Sequence, residues 1–377
     1  MSGRARRVLF LAPSIRAGGM ERLVSILLRT MDRSRYRPEL MLLHRRDENQ
    51  AYRDTLPDDV RIHDLGKQSR IDAPRLLRDV ARTLRSRHYD AAIGFMTYPN
   101  LLLVGARFLS RRRIPVIATE HVTPDALRET RGRRAQLALA ARLYRRASVV
   151  AVSDGMRRAF VEELRLPPER VRTIYNPFDP SLDSMLSERP DNPWLREDGP
   201  VLVAVGRLSP QKGYPVMLRA LAEVRRTVPA RLLVLGEGTE RPALEVLANE
   251  LGLADVVDFL GFVQNPFSYM QAASAYVLSS HWEGFPFVLV EASRAGAAIV
   301  ATNCPFGADE VLVPEETGLL VPPNDPTALA AGIVRVLQEP GLADRLRNGA
   351  RQRSELFSPD EAVRRYEDLL DEAIAAA

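Results

Sequence analysis

Short apolar runs alternate along this chain with longer amphipathic stretches, and the alternation happens twice. RVLFLAP, PELMLLH, AAIGFM, PVIATEH and ASVVAVS follow one another in the first half. Between them lie stretches such as MERLVSILLRTM and PRLLRDVARTLRSR, whose apolar residues recur at helical spacing. Strands alternating with helices imply a parallel sheet covered by helices on both faces. The pattern breaks in TIYNPFDPSLDSMLSERPDNPWLREDGP, where Pro, Asp, Ser and Asn mark a linker. It then restarts with VLVAVGRL, RLLVLGEG, VVDFLGFV, AYVLSS, AAIVATN and TGLLVPP. The expected fold class is therefore α/β, with two Rossmann-like doubly wound domains and a cleft at the carboxyl ends of their strands, where open α/β sheets place ligands. The first domain is expected over residues 1–180 and the second over 181–355. A final helix is expected over SPDEAVRRYEDLLDEAIAAA, capped by Ser358.

Composition supports the division. A chain of 377 residues exceeds one ordinary core. Hydrophobic residues make up 46% and charged residues 27%, a globular balance. No apolar run approaches the ~20 residues of a membrane span. The leading MSGRARRVLFLAPS has too short an apolar stretch before Pro13 for a secretory signal, so Val8 to Ala12 is read as the first buried strand. The single cysteine, Cys304, excludes an internal disulfide and a cysteine zinc cluster, and a cytosolic compartment is expected. The net charge of +5 hides an asymmetry: residues 1–180 carry 36 Lys+Arg against 20 Asp+Glu, and the remainder carry 17 against 28. A basic first half suits a polyanionic partner, although solvated faces in an arginine-rich chain would look the same. Only Lys67 and Lys212 are lysines among the 53 basic residues.

Two stretches carry the chemistry. After the strand VLVAVG, Arg207 and Lys212 in RLSPQKG place two cations at a strand's carboxyl end, suited to a diphosphate. The bland alternative is a turn with two exposed cations. The second stretch, SSHWEGFPFVLVEASRAG, follows the strand AYVLSS. Pro286 suits the first position of a helix, and the amides of Gly284 and Phe285 would lie at its N-terminus, a ready anion site. Glu291 stands inside that helix among Val288, Leu289, Val290 and Ala292. A carboxylate in such a run is costly without a partner, and it could accept two hydrogen bonds from a ribose diol. Glu283, in the loop, could reach sugar hydroxyls or backbone amides.

In this order, GRLSPQKG, GEGTERPALE, FLGFV and EGFPFVLVEASRAG, with GGMERLV, TEH, VAVSDGMR and IYNPFD before them, resemble the retaining glycosyltransferases of family 4 over essentially the whole chain. The glutamate pair is similar to that family's E-x7-E motif. The resemblance implies the GT-B fold, with residues 356–377 forming a helix that packs back on the first domain. It implies that Arg207 and Lys212 hold the donor diphosphate, Glu291 the ribose, and Glu283 the transferred sugar. It also implies that backbone around Val263 meets the base, that Gly18 and Gly19 approach the donor phosphates, and that His121 lines the reaction centre. Two departures, YNPFD in place of the more usual Asn-Gly and Glu237 where Asp is frequent, bear on detailed donor contacts. The wording of EGFPFVLVEA, TNCPFGADEVL and TEH is most similar to bacterial enzymes that extend polyprenyl-diphosphate-linked glycans with UDP-sugars.

The expected activity is thus retaining transfer of a hexose or N-acetylhexosamine from a UDP-sugar to a glycan or lipid-linked acceptor. A sugar-nucleotide epimerase of the same fold, or a transferase with a soluble acceptor, stays open. No D-x-D triplet occurs, so no metal is expected and cations with helix N-termini would neutralise the leaving diphosphate. LLLVGARFLSRRR joins an apolar run to Arg107, Arg111, Arg112 and Arg113, and RETRGRRAQLALAARLYRR spaces arginines along an amphipathic segment. Such segments lie at membrane interfaces, so contact with an anionic surface is expected, with the protein peripheral on the inner face of the cytoplasmic membrane. A dehydrogenase is disfavoured because APSIRAGGMER lacks a G-x-G-x-x-G turn, and no nucleic-acid partner is expected, since the arginines scatter over several helices without a binding module.

Overall fold

The computed structural model describes residues 4–16, 18–44, 52–69, 72–128 and 130–377. The chain divides into two compact units, Met1–Asn176 with Pro359–Ala377, and Pro177–Ser358.

The first unit holds strands β1 (Arg6–Ala12), β2 (Tyr36–His44), β3 (Arg61–Lys67), β4 (Ala91–Phe95), β5 (Val116–Glu120), β6 (Ser148–Ala151) and β7 (Val171–Thr173). Its helices are α1 (Gly19–Thr30), α2 (Ala73–Ser86), α3 (Thr97–Ser110), α4 (Pro124–Arg128), α5 (Arg131–Leu143) and α6 (Asp154–Glu162). All the strand pairs are parallel, in the order β3-β2-β1-β4-β5-β6-β7. The order reverses direction between β1 and β4, which makes that point a crevice at the carboxyl edge. β4 and β5 are buried throughout; β4 is wholly apolar or glycine, whereas β5 ends in the buried polar pair Thr119 and Glu120. Two strands were not foreseen. β3 reads RIHDLGK and lies half exposed at the sheet edge, so its burial demands no apolar run. β7 is only three residues long at the opposite edge.

The second unit holds β8 (Val201–Val205), β9 (Arg231–Leu235), β10 (Val257–Gly261), β11 (Ala275–Leu278), β12 (Ile299–Thr302) and β13 (Leu319–Val321). Its helices are α7 (Leu182–Met185), α8 (Tyr214–Val224), α9 (Arg241–Glu250), α10 (Pro266–Ala272), α11 (Phe287–Arg294), α12 (Ala308–Val311), α13 (Pro326–Gln338) and α14 (Leu342–Ser354). The strands run parallel in the order β10-β9-β8-β11-β12-β13, so the reversal falls between β8 and β11. Leu202, Leu232, Val300, Leu329 and Ile333, all at most 1% exposed, belong to the core beneath α8 and α13.

The last helix, α15 (Pro359–Ala375), belongs to the first unit. Glu367 accepts from the backbone N–H of Asp32 at 2.8 Å and from Arg35 at 2.9 Å, and its carbonyl accepts from the Tyr36 hydroxyl at 3.1 Å. Arg6, Arg35 and Tyr36 all converge on Asp371. The helix is therefore docked by polar contacts as well as by buried Tyr366, Leu369 and Leu370.

Candidate active site

Two loops at the reversal point of the second unit build the site. The loop after β8 carries Arg207, then a 3₁₀ turn over Pro210–Lys212, then Gly213 leading into α8. The loop after β11 carries Ser279 to Pro286 and leads into α11. The β8 and β11 strands are neighbours, so the two loops meet although their key residues are 71 positions apart in sequence.

Their contact is close enough to dictate a residue. Gly213 adopts φ 62°, and a Cβ there would sit 2.2 Å from the Ser279 carbonyl oxygen. Only glycine fits that backbone crossing without displacing β11. The loops are then laced together. The Ser279 hydroxyl donates to the Lys212 carbonyl at 2.8 Å, and the His281 N–H donates to the Gln211 carbonyl at 2.8 Å. Gln211 Nε2 donates to the Trp282 carbonyl at 3.0 Å.

At the centre, Lys212 Nζ lies 2.7 Å from Glu283 Oε1. The same carboxylate accepts from the Ser280 hydroxyl at 2.7 Å and, on Oε2, from Gln211 Nε2 at 3.1 Å. The side chains are 17% and 6% exposed respectively, so this is a largely desolvated pair. The sequence reading assigned Lys212 to phosphate and Glu283 to sugar as separate groups; the structure joins them. An ammonium has three N–H donors, and one is used here, so two remain for an anion. Oε2 has one hydrogen bond and retains acceptor capacity toward a hydroxyl. Gln211 and Ser280 are part of this arrangement and were missed, because nothing local in the sequence separates them from ordinary loop residues. Cys304 was also missed as a neighbour. Burial, followed by the charge of Glu283, pushes its thiol up to about 12, so it stays protonated.

Around this pair the helix start differs by one position from expectation. Pro286 occupies the N-cap of α11 with ψ 80°, and Phe287 is the first helical residue. The cause is the Phe285 carbonyl, which accepts the Phe287 N–H at 3.0 Å and draws the chain into a tight turn before the helix begins. Phe285 is buried, with its ring 6.1 Å from Phe287 and 5.9 Å from Phe357. Gly284 precedes it in the same loop. Glu291 is 5% exposed, beside Leu289, Val290 and Ala292 with no exposure, so the carboxylate is held in the apolar run as the sequence implied. Arg207 is exposed and makes no hydrogen bond or ion pair among the described residues, leaving its guanidinium available. Val263 follows β10 and is half-buried, beside Phe262 at 70% exposure.

The remaining predicted residues lie in the first unit. Gly18 is extended, with φ 177°, and caps α1, which starts at Gly19. Glu21 folds back so that its Oε2 would be 2.5 Å from a Cβ at Gly18. A carboxylate therefore already lies near this N-terminus, which an incoming phosphate would have to displace or avoid. His121 follows β5 directly and is half-buried, with an Nε2 that has no hydrogen-bond partner among the described residues. Burial alone lowers its pKa to about 3, so the imidazole is neutral.

Arg107 departs from its expected place on a membrane-facing surface. It is half-buried and donates to the Arg146 carbonyl at 3.0 Å, tying α3 to the end of α5. Arg111 and Arg113 are exposed and Arg112 is half-buried. Exposed apolar side chains accompany them: Phe108 at 43%, Leu109 at 54% and Leu139 at 46%. Among the described residues, no helix is long and apolar enough to cross a membrane.

Comparisons with known proteins follow the same division. Residues 17–182 match the family model described as Glycosyltransferase Family 4, and residues 188–353 match Glycosyl transferases group 1. The chain is similar to the N-acetylgalactosamine-N,N'-diacetylbacillosaminyl-diphospho-undecaprenol 4-alpha-N-acetylgalactosaminyltransferase of Campylobacter jejuni, 27% identical over 91% of this chain and 93% of that one. It is 35% identical to the lipopolysaccharide core biosynthesis glycosyltransferase LpsD of Rhizobium meliloti, over 47% of this chain and 51% of that one. Its fold matches that of Anabaena HepE in complex with UDP-glucose, with a TM-score of 0.82 and 24% identity over 97% of this chain and 99% of that one.

Proposed function

We propose, because this chain belongs to the glycosyltransferases that join a Family 4 domain to a group 1 domain in a GT-B fold, that it moves a hexose or N-acetylhexosamine from a UDP-sugar to a lipid-diphosphate-linked glycan with retention at the anomeric carbon. The observation that carries the reading is the Lys212–Glu283 pair at the carboxyl ends of β8 and β11, beside the start of α11. Charge develops on the diphosphate as the glycosidic bond breaks. Lys212 and the free guanidinium of Arg207 supply two positive charges to it, and the amides of Gly284 and Phe285 supply backbone donors. Glu283 holds the ammonium in position and offers Oε2 to a sugar hydroxyl. Glu291 accepts from the ribose. Backbone around Val263 takes the base, and Gly18 and Gly19 keep the phosphate role that the family resemblance implies for them. His121, neutral, keeps the place at the reaction centre that the family resemblance implies for it. With the charge neutralised by side chains and amides, the reaction requires no metal.

Features of the first unit and of the relatives support the proposed acceptor. The Campylobacter relative is named for a diphospho-undecaprenol acceptor, and HepE was crystallised with UDP-glucose. Exposed Phe108, Leu109 and Leu139, and exposed Arg111 and Arg113, supply apolar and basic side chains of the kind an anionic lipid interface binds. On this proposal the protein works peripherally on the cytoplasmic face of the membrane.

A donor screen with UDP-, GDP- and ADP-sugars against lipid-diphosphate acceptors, read by mass spectrometry in excess EDTA, tests the reading. Glycosylated acceptor formed from UDP-sugars supports it. Epimerised or hydrolysed donor as the sole product, or product only when Mn²⁺ is added, refutes the corresponding part.

A further inference from the structure

The residue before His121 is a fully buried acid that the donor site does not use. Glu120 ends β5 with 1% exposure. Its Oε2 accepts from the Thr97 hydroxyl at 2.9 Å, and its Oε1 accepts from Asn100 Nδ2 at 3.1 Å and from the Tyr144 hydroxyl. Thr97 and Asn100 lie in the first turn and a half of α3, which follows β4; Tyr144 lies in the 3₁₀ turn that closes α5. One carboxylate therefore ties together the carboxyl ends of two central strands, the start of one helix and the end of another.

The surrounding backbone is shaped to admit this clasp. Asn100 Nδ2 also donates to the Thr119 carbonyl at 2.9 Å, and the Met96 N–H donates to the same carbonyl at 3.0 Å. Met96 adopts φ 75°, a left-handed conformation that a non-glycine residue takes only when its surroundings hold it there. Gly94 has no room for a side chain, because a Cβ would lie 2.3 Å from Asn100 Oδ1. Burying a carboxyl under three donors is costly. A structural tie between β4 and β5 needs no acid, since the sheet ladder and the Asn100 bonds already supply it.

We propose that Glu120 is a positioning residue for the reaction: its three-donor clasp sets where His121 emerges from β5. The inference rests on the assignment of His121 to the reaction centre. The charge state of the clasp matters, because the observed donors suit a carboxylate. Burial pushes Glu120 up to about 7 against the hydrogen bonds from Tyr144, Asn100 and Thr97. The titratable groups beside it do not change charge in that range. Burial raises Tyr144 far above its ordinary value and lowers His121 to about 3. Below pH 7 the carboxyl gains a proton that needs an acceptor in this buried site, and of the three donors only the hydroxyls of Thr97 and Tyr144 can turn to supply one. Turnover is therefore expected to fall to an acid plateau as pH drops through this range.

Four variants of the full chain test this: Glu120→Ala, Glu120→Gln, Tyr144→Phe and His121→Ala. For each, kcat and donor KM are measured from pH 5.5 to 8.5, with thermal unfolding to show that the protein is folded. A displacement of about 1 Å at a reacting group costs on the order of 10²-fold, so E120A is expected to lose kcat on that scale with donor KM nearly unchanged. E120Q keeps the shape of the clasp without its charge. It is expected to be independent of pH near 7, at the level of the wild-type acid plateau. Y144F, which removes a single donor, shifts the inflection upward without abolishing it. The inference is overturned if folded E120A keeps wild-type kcat, or if E120Q retains the wild-type pH profile. If H121A turns over as wild type, the assignment of His121 fails and takes the inference with it. If H121A is impaired while the Glu120 variants are normal, only the inference fails.

Discussion

Replacing Lys212 by methionine separates two roles of the central pair. The substitution keeps most of the side chain's length and removes its charge. It leaves Glu283 only 5% exposed, with Ser280 and Gln211 as its remaining side-chain donors among the described residues. Breaking a buried pair by removing one partner costs about 3–5 kcal/mol, because the other charge stays desolvated, whereas an exposed pair costs about 0–1. Lys212 is 17% and Glu283 6% exposed, so the pair belongs near the lower end of the buried range, about 3 kcal/mol. In a unit the size of Pro177–Ser358, that loss lowers Tm by about 6–12 °C. Adding Glu283→Gln to Lys212→Met removes the orphaned charge and should restore about 1.5 kcal/mol or more. Turnover should not recover with stability: loss of a charged donor at the leaving group costs on the order of 10²–10³-fold in kcat. The assay is a double-mutant cycle of urea unfolding, followed by a domain-specific probe such as Trp282 fluorescence, with kcat at saturating donor for each variant. If Lys212→Met costs under about 0.5 kcal/mol, or the two changes simply add, the pair is not desolvated as described. If kcat survives, Lys212 does not serve the leaving diphosphate.

Gly213→Ala should be among the most damaging single-methyl additions in the second unit, costing about 1–3 kcal/mol from the left-handed φ alone and more from the approach to Ser279, with donor binding weakened in isothermal titration. Wild-type stability and affinity in that variant would refute the crossing of the two loops. Adsorption to anionic liposomes should rise with anionic lipid content and fall with salt, and it should weaken when Phe108 and Leu109 become Ser or when Arg111 and Arg113 do. Arg107→Ser should instead lower stability, because its guanidinium holds the Arg146 carbonyl. Absence of co-sedimentation at low salt would turn the acceptor assignment toward a soluble glycan.

The alternation of apolar runs with amphipathic stretches was enough to determine two doubly wound units, because a strand covered on both faces must be apolar at successive positions whatever its neighbours are. For the same reason β3 was illegible: at an edge, RIHDLGK meets water and needs no such run. Arg207, Lys212, Glu283 and Glu291 could be named from their positions beside strand ends and a helix start. Their pairing could not. Lys212 and Glu283 meet only because β8 and β11 become neighbours where the strand order reverses, and that adjacency is a property of the sheet. The same holds for Glu120. In the sequence it is one acid beside a histidine; its burial depends on Thr97, Asn100 and Tyr144 arriving from two helical segments at separate points in the chain. Phe108 and Leu109 invert the case. They end the apolar run of α3, and they stay exposed although the Arg146 guanidinium lies over the Phe108 ring at 5.4 Å. Local wording determines what each segment can bury. Which charges become partners, and which apolar residues stay uncovered, is decided when the segments pack.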